Sequence, residues 1–183
     1  IGENKIVTNC GYGKQISKKA ELISRLTSAQ STLCIDNTSV VKFERNKILN
    51  NILGNSLKTS FKVYNLKYEN NEQQIIASAE HNAYEKQFGF CHKREIILIK
   101  KNSCLHGTDF LIKKENSPSE LNFHIRFHLY PGINTVRTLS GKSILLQTNG
   151  NKSWVFSSDE LAIDLEKSLF FGRNKALKNK CIK

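Results

Sequence analysis

Short apolar or alternating runs, each closed by turn residues, repeat along the whole chain. They fall at residues 5–8, 33–35, 61–68, 74–80, 88–99, 105–113, 121–130, 143–147, 154–157, 161–170 and 180–182. Alternation with a period of two is the mark of a half-buried strand. The punctuation is of the expected kind: Asn9-Cys10-Gly11, Asp36-Asn37, Asn70-Asn71, Lys101-Asn102, Glu115-Asn116-Ser117-Pro118, Ser140-Gly141 and Asn149-Gly150-Asn151. One stretch has helical spacing. Ser17 is a fitting N-cap for residues 17–26, where Ala20, Leu22, Ile23 and Leu26 share one side. Residues 46–57 are Asn-rich and read as a loop with a helical turn. No strand–helix–strand rhythm is present, so the pattern predicts an all-β fold. The expected architecture is an antiparallel, supersandwich-like β-sandwich of about ten strands with one short helix near the N-terminus. With 183 residues, no internal repeat and no clear boundary, residues 1–183 read as a single domain.

The sharpest alternation is 121–130, followed by Pro131. Phe123, Ile125, Phe127 and Leu129 fall on one face of a strand, and His124, Arg126, His128 and Tyr130 on the other. Histidines four apart meet on a helix, where they can share a zinc ion. On a strand they stand roughly 13 Å apart, at about 3.3–3.4 Å per residue. The pair therefore fails as a metal site, while the row of donors could follow an extended anionic polymer. His81 and Tyr84, at a strand end, are residue types suited to moving protons and are the catalytic candidates. His92 and Arg94 share a face of the 88–99 strand and would extend the basic row if that strand lies beside it. Asp159, Glu160, Asp164 and Glu166 read as ordinary surface carboxylates.

The charge changes this picture only in part. Lys plus Arg number 28 against 16 Asp plus Glu, a net +12. Lysine outnumbers arginine 22 to 6, and Lys, Asn and Ile together make 59 residues, about a third of the chain. These residues share A/T-rich codons, so much of the surplus reflects composition. Nucleic-acid readers lean on arginine, and these lysines are dispersed, which argues against a nucleic-acid partner. A positive field that attracts some other polyanion remains. Five cysteines without C-x-x-C spacing argue against a disulfide scaffold and a zinc finger. The longest purely apolar run, Ile96-Ile97-Leu98-Ile99, is far below the ~20 residues that span a bilayer. No P-loop, dinucleotide fingerprint or nucleophile elbow occurs. The chain opens on Ile1 and has no methionine, which predicts a piece of a longer protein.

Several segments in one order resemble the C-terminal β-sandwich domain of heparinase II/III-like proteins, a polysaccharide lyase family, and most of all its proteobacterial branch. They are Ile6-Val7-Thr8-Asn9-Cys10-Gly11, the 25–33 segment ending Ser31-Thr32-Leu33, His81-Asn82-Ala83-Tyr84, His92-Lys93-Arg94, Gly107-Thr108-Asp109, the 125–131 segment, Trp154-Val155-Phe156 and residues 165–170. The resemblance implies a longer parent in which an N-terminal α/α toroid packs on the sandwich and an acidic polysaccharide lies between them. The implied chemistry is β-elimination: a uronate carboxylate is neutralised, a Tyr or His removes the C5 proton, and the 4-linked oxygen leaves. The basic faces read above, His124, Arg126, His128 and Tyr130 with His92 and Arg94, fit such a cleft and are expected to bind substrate; the resemblance implies a periplasmic or cell-envelope location. Asn9 stands where the family has an aspartate ligand and Gln30 where it has a histidine, so no metal and no cofactor is expected. Tyr130 likewise replaces a second histidine common in the family. The catalytic segment would precede Ile1, so the chain alone is expected to be inactive. The alternative is a non-catalytic module that binds envelope glycan.

Overall fold

A computed structural model describes residues 5–44, 56–57, 61–114, 117–148, 152–159, 163–172 and 174–183. The expected helical turn within 46–55, the Glu115-Asn116 step and the turn at 149–151 lie outside the described residues. The fold is all-β and sandwich-like, with thirteen strands among the described residues and every strand ladder antiparallel. The chain divides into two compact units, residues 1–41 with 123–183 and residues 42–122.

The first unit holds β1 (Val7–Thr8), helix α1 (Lys18–Ser24), a 3-10 turn (Thr27–Ala29) and β2 (Leu33–Ile35). After the second unit it continues with β7 (Phe123–Ile125), β8 (Phe127–Leu129), β9 (Asn134–Arg137), β10 (Ser143–Gln147), β11 (Ser153–Ser157), β12 (Leu165–Gly172) and β13 (Lys175–Ile182). Its sheets are ordered β1-β8-β13-β12 and β11-β10-β9, beside the pair β2-β7. Leu129, Ile182 and Leu165 from the first sheet meet Ile144, Leu146, Trp154 and Phe156 from the second, and Ile163 completes the core. Ser17 caps α1 as expected, its hydroxyl accepting from the Ala20 N–H at 3.0 Å. The helix ends two residues before the predicted Leu26, where Arg25 caps it and Leu26 turns to extended backbone. Gly11 crosses the edge of β12 with φ 76°, and a Cβ there would stand 2.1 Å from the Phe171 carbonyl oxygen. Only glycine combines that backbone with that approach.

The second unit is a four-stranded sheet in chain order: β3 (Val63–Asn70), β4 (Gln74–His81), β5 (Phe90–Ile99) and β6 (Cys104–Lys113). A four-residue helix, α2 (Glu85–Phe88), absent from the sequence reading, joins β4 to β5 and ends on Gly89 at φ 73°. Strand β9 was also missed. It has one large apolar residue, Val136, and too little alternation to stand out.

Ile144 is fully buried between the sheets of the first unit. Ile144→Ala is expected to lower stability by about 2–5 kcal/mol, the transfer term plus a residual cavity. Urea unfolding of the two proteins measures it.

Candidate functional site

In the second unit the register of the sheet assembles four polar side chains on one face. His81 pairs with His92 across β4 and β5, and Arg94 pairs with Asp109 across β5 and β6. His92 and Arg94 are two residues apart on β5, so all four point the same way. Arg94 grips Asp109 with two bonds, Nε to Oδ1 at 2.7 Å and Nη2 to Oδ2 at 2.9 Å. His92 Nε2 lies 2.6 Å from the same Oδ1, and its Nδ1 lies 3.0 Å from His81 Nε2. His81 Nδ1 accepts the backbone N–H of Ala83 at 3.2 Å.

The backbone bond fixes every proton in this chain. An amide N–H can only donate, so His81 Nδ1 carries a lone pair and its proton is on Nε2. That proton points at His92 Nδ1, which must accept. His92 therefore carries its own proton on Nε2 and donates to Asp109. A second proton on His92 would face the His81 N–H. Burial pushes the Asp109 carboxyl up, but the bonds from His92 and Arg94 and the charge of Arg94 outweigh it and hold it below the ordinary value. Burial, then the neighbouring His92, pull His81 down to about 4.

The catalytic candidates sit at this chain. Both ring nitrogens of His81 are engaged within the fold. Tyr84 is 2% exposed, its ring 5.8 Å from that of His81 and 6.2 Å from that of Phe88. His92 is 3% exposed.

The other predicted residues belong to the first unit, and the 121–130 run is not one strand. It changes sheets at Arg126, whose backbone N–H bonds the Thr32 carbonyl at 3.1 Å. His124 pairs with Cys34 in the β2-β7 ladder, whereas His128 pairs with Thr8 and Cys181 in the four-stranded sheet. The expected ladder of four outward donors is thus broken. His128 is 3% exposed. Its Nε2 donates to the Ser28 carbonyl at 3.0 Å, so Nδ1 accepts from the Ser168 hydroxyl at 2.9 Å. Burial holds its pKa below the ordinary value. Nor does β5 extend a basic row: both its edges are taken by β4 and β6.

Arg126, His124 and Lys183 gather around Glu166. Lys183 Nζ is 2.9 Å from Glu166 Oε1 and Arg126 Nε is 3.7 Å from Oε2. Arg126 Nη2 donates to Asn37 Oδ1 at 3.4 Å, while its buried Nη1 has no hydrogen-bond partner among the described residues. The bond from Lys183 lowers the Glu166 carboxyl. His124 is lowered by burial and then by the charges of Lys183 and Arg126. Tyr130 stacks edge-on against Phe170 at 5.3 Å, with Lys5 Nζ 6.0 Å from its ring centre.

Asn9 and Gln30 serve the backbone. Asn9 Oδ1 accepts the Ser31 N–H at 2.9 Å, and Gln30 Nε2 donates to the Ser24 carbonyl at 2.8 Å. Among the described residues no three His, Cys, Asp or Glu side chains are grouped to hold a metal ion. Amides turned to bracing a loop do not fit a zinc site. All five thiols are free, and burial raises those of Cys10 and Cys34 and pushes Cys181 up to about 12. Those three are poor nucleophiles in that state.

The family model for the heparinase II/III-like C-terminal domain matches residues 1–183. The chain belongs to the heparinase II/III-like family. No curated protein and no solved structure matches it. Among the described residues no helix of this heparinase II/III-like domain is long and apolar enough to cross a membrane.

Sequence reading missed two carboxylates of the domain that organise its cations. Asp109 lay in the quoted Gly107-Thr108-Asp109 segment, but nothing local to it announces that β5 brings His92 and Arg94 alongside. Glu166 was read as surface without a basic partner, and its partners lie 40 residues upstream and at the last residue. Asp164 likewise has one, Arg137 Nη1 at 3.3 Å.

Asp109→Ala removes the carboxylate that Arg94 and His92 share, and is expected to cost about 3–5 kcal/mol in urea unfolding. His81 binds a proton only near pH 4 when folded and near 6.5 when unfolded. Between those values the unfolded chain holds more protons, so stability rises with pH through that window and is complete above it. His81→Asn is expected to flatten that part of the stability–pH curve.

Proposed function

We propose that this domain contacts an acidic, uronate-containing polysaccharide as the β-sandwich half of a lyase. In β-elimination the C5 proton goes to a base, its electron pair forms the C4–C5 double bond, and the C4–O bond breaks with its oxygen taking a proton. Charge develops beside the uronate carboxylate, so a cation there lowers the barrier. The observation that carries the reading is the sharing of one carboxylate, Glu166, by Arg126 and Lys183. Asp36 is a second acid near His124, and Lys183 is the more open of the two cations, its side chain 28% exposed against 12% for Arg126. Membership of the family supports a polysaccharide as the ligand and a helical domain as the partner that completes the cleft. The cell envelope is the corresponding location. A second reading, a glycan-binding module without catalysis, is favoured by the internal bonds of His81 and the burial of Tyr84.

The protein is expected to be retained on immobilised polygalacturonate in a salt-sensitive way and to pass through neutral dextran. Lys183→Gln and Arg126→Gln are each expected to weaken retention about tenfold, the worth of one charge-assisted hydrogen bond. Equal retention on the two polymers sinks the reading. With the helical domain present, an unsaturated, ultraviolet-absorbing product favours the lyase, and retention without product favours the binding module.

A further inference from the structure

One face of the β12–β13 hairpin carries an arrangement that sheet energetics disfavours. Lys167 and Lys180 are directly opposite each other, and the next pair on that face is Leu169 with Lys178. Side chains opposite each other in an antiparallel ladder have Cβ atoms about 5 Å apart, and like charges there repel. All three lysines are exposed. Three lysines elsewhere have an acid beside them: Lys67 with Glu69, Lys93 with Glu95, Lys183 with Glu166. No carboxylate among the described residues lies within ion-pair distance of Lys167, Lys178 or Lys180.

The same face changes character along the hairpin. Leu165 and Ile182 form the pair beyond Lys167 and Lys180, and both enter the sandwich core. The lysines begin where that core ends. Lys180 Nζ donates to Thr135 Oγ1 of β9 at 2.7 Å, which ties one ammonium to the rim of the second sheet. Leu169, 46% exposed, lies between the charges and offers an apolar contact. The result is a ledge with fixed positive charge, one apolar spot and no internal counter-ion.

We infer that this ledge is a second polysaccharide-contacting surface, taking the carboxylate groups of an acidic glycan outside the Arg126 cluster. It rests on the proposed glycan ligand. Point-like ammonium groups with an aliphatic neighbour suit spaced carboxylates on sugar rings. They lack the planar guanidinium fork that reads nucleic-acid phosphates and bases. The ligand relieves the lysine repulsion, so bound glycan and folded hairpin reinforce each other.

The test compares two triple variants of equal charge change on immobilised polygalacturonate. Lys167→Gln/Lys178→Gln/Lys180→Gln removes the ledge. Lys62→Gln/Lys101→Gln/Lys142→Gln removes three exposed lysines elsewhere. The ledge variant is expected to lose at least about tenfold in affinity and the dispersed variant no more than about threefold, since tenfold is the loss of one good charged contact. Lys167→Gln alone keeps the Thr135 bond and is expected to lose part of the affinity, with a thermal midpoint equal to or above that of the unaltered protein. Equal losses in the two triple variants overturn the ledge and leave the glycan reading standing. Failure of the unaltered protein to bind overturns both. Tighter binding of duplex DNA than of polygalacturonate, lost with the same three lysines, assigns the surface to nucleic acid and overturns the proposal.

Discussion

A buried imidazole must have a partner at each ring nitrogen, or folding leaves a polar group stripped of water. This domain has two such rings, one in each compact unit. His92 meets it with His81 on one side and Asp109 on the other. His128 meets it with Ser168 and the Ser28 carbonyl. Much of the surrounding structure follows. Asp109 needs Arg94 as well as His92 to stay charged in the interior, and His81 needs the Ala83 N–H to orient its proton. Ser31 accepts the His128 backbone N–H at 2.8 Å and donates to the Thr8 carbonyl, knitting the strand change at Arg126 into the first sheet.

That constraint separates what was legible in the sequence from what was not. Strand 143–147 came through because it buries one apolar stripe at period two, Ile144 and Leu146. Ser17 announced its helix because an N-cap is a local device. The 121–130 run was read as one strand because alternation persists across Arg126. What changes there is the pairing partner, Cys34 before and Thr8 after, and pairing is long-range. Alternation names a second face without saying whether something covers it. Around His128 that face is covered by Cys10 and Ser168. The same limit hid Asp109 and Glu166, whose cations arrive from distant strands.

The +12 charge resolves into parts of unequal meaning. Some cations are neutralised in place, as Arg94 is by Asp109. Two share a single carboxylate at Glu166. Others have none within ion-pair distance among the described residues, and three of these are grouped on one face of β12–β13. A neutralised cation contributes structure, whereas an under-neutralised one contributes field and contact. The histidines, which drew attention as donors, are for the most part spent on the interior. Positive charge available to an acidic glycan therefore comes chiefly from lysines and Arg126.

The most direct measurement is nitrogen-15 NMR of the imidazole rings at neutral pH. The internal bonds require the proton on Nε2 and a bare lone pair on Nδ1 in His81, His92 and His128 alike. Finding His92 or His128 with its proton on Nδ1, or doubly protonated, would contradict the proton order from which the two polar interiors are built.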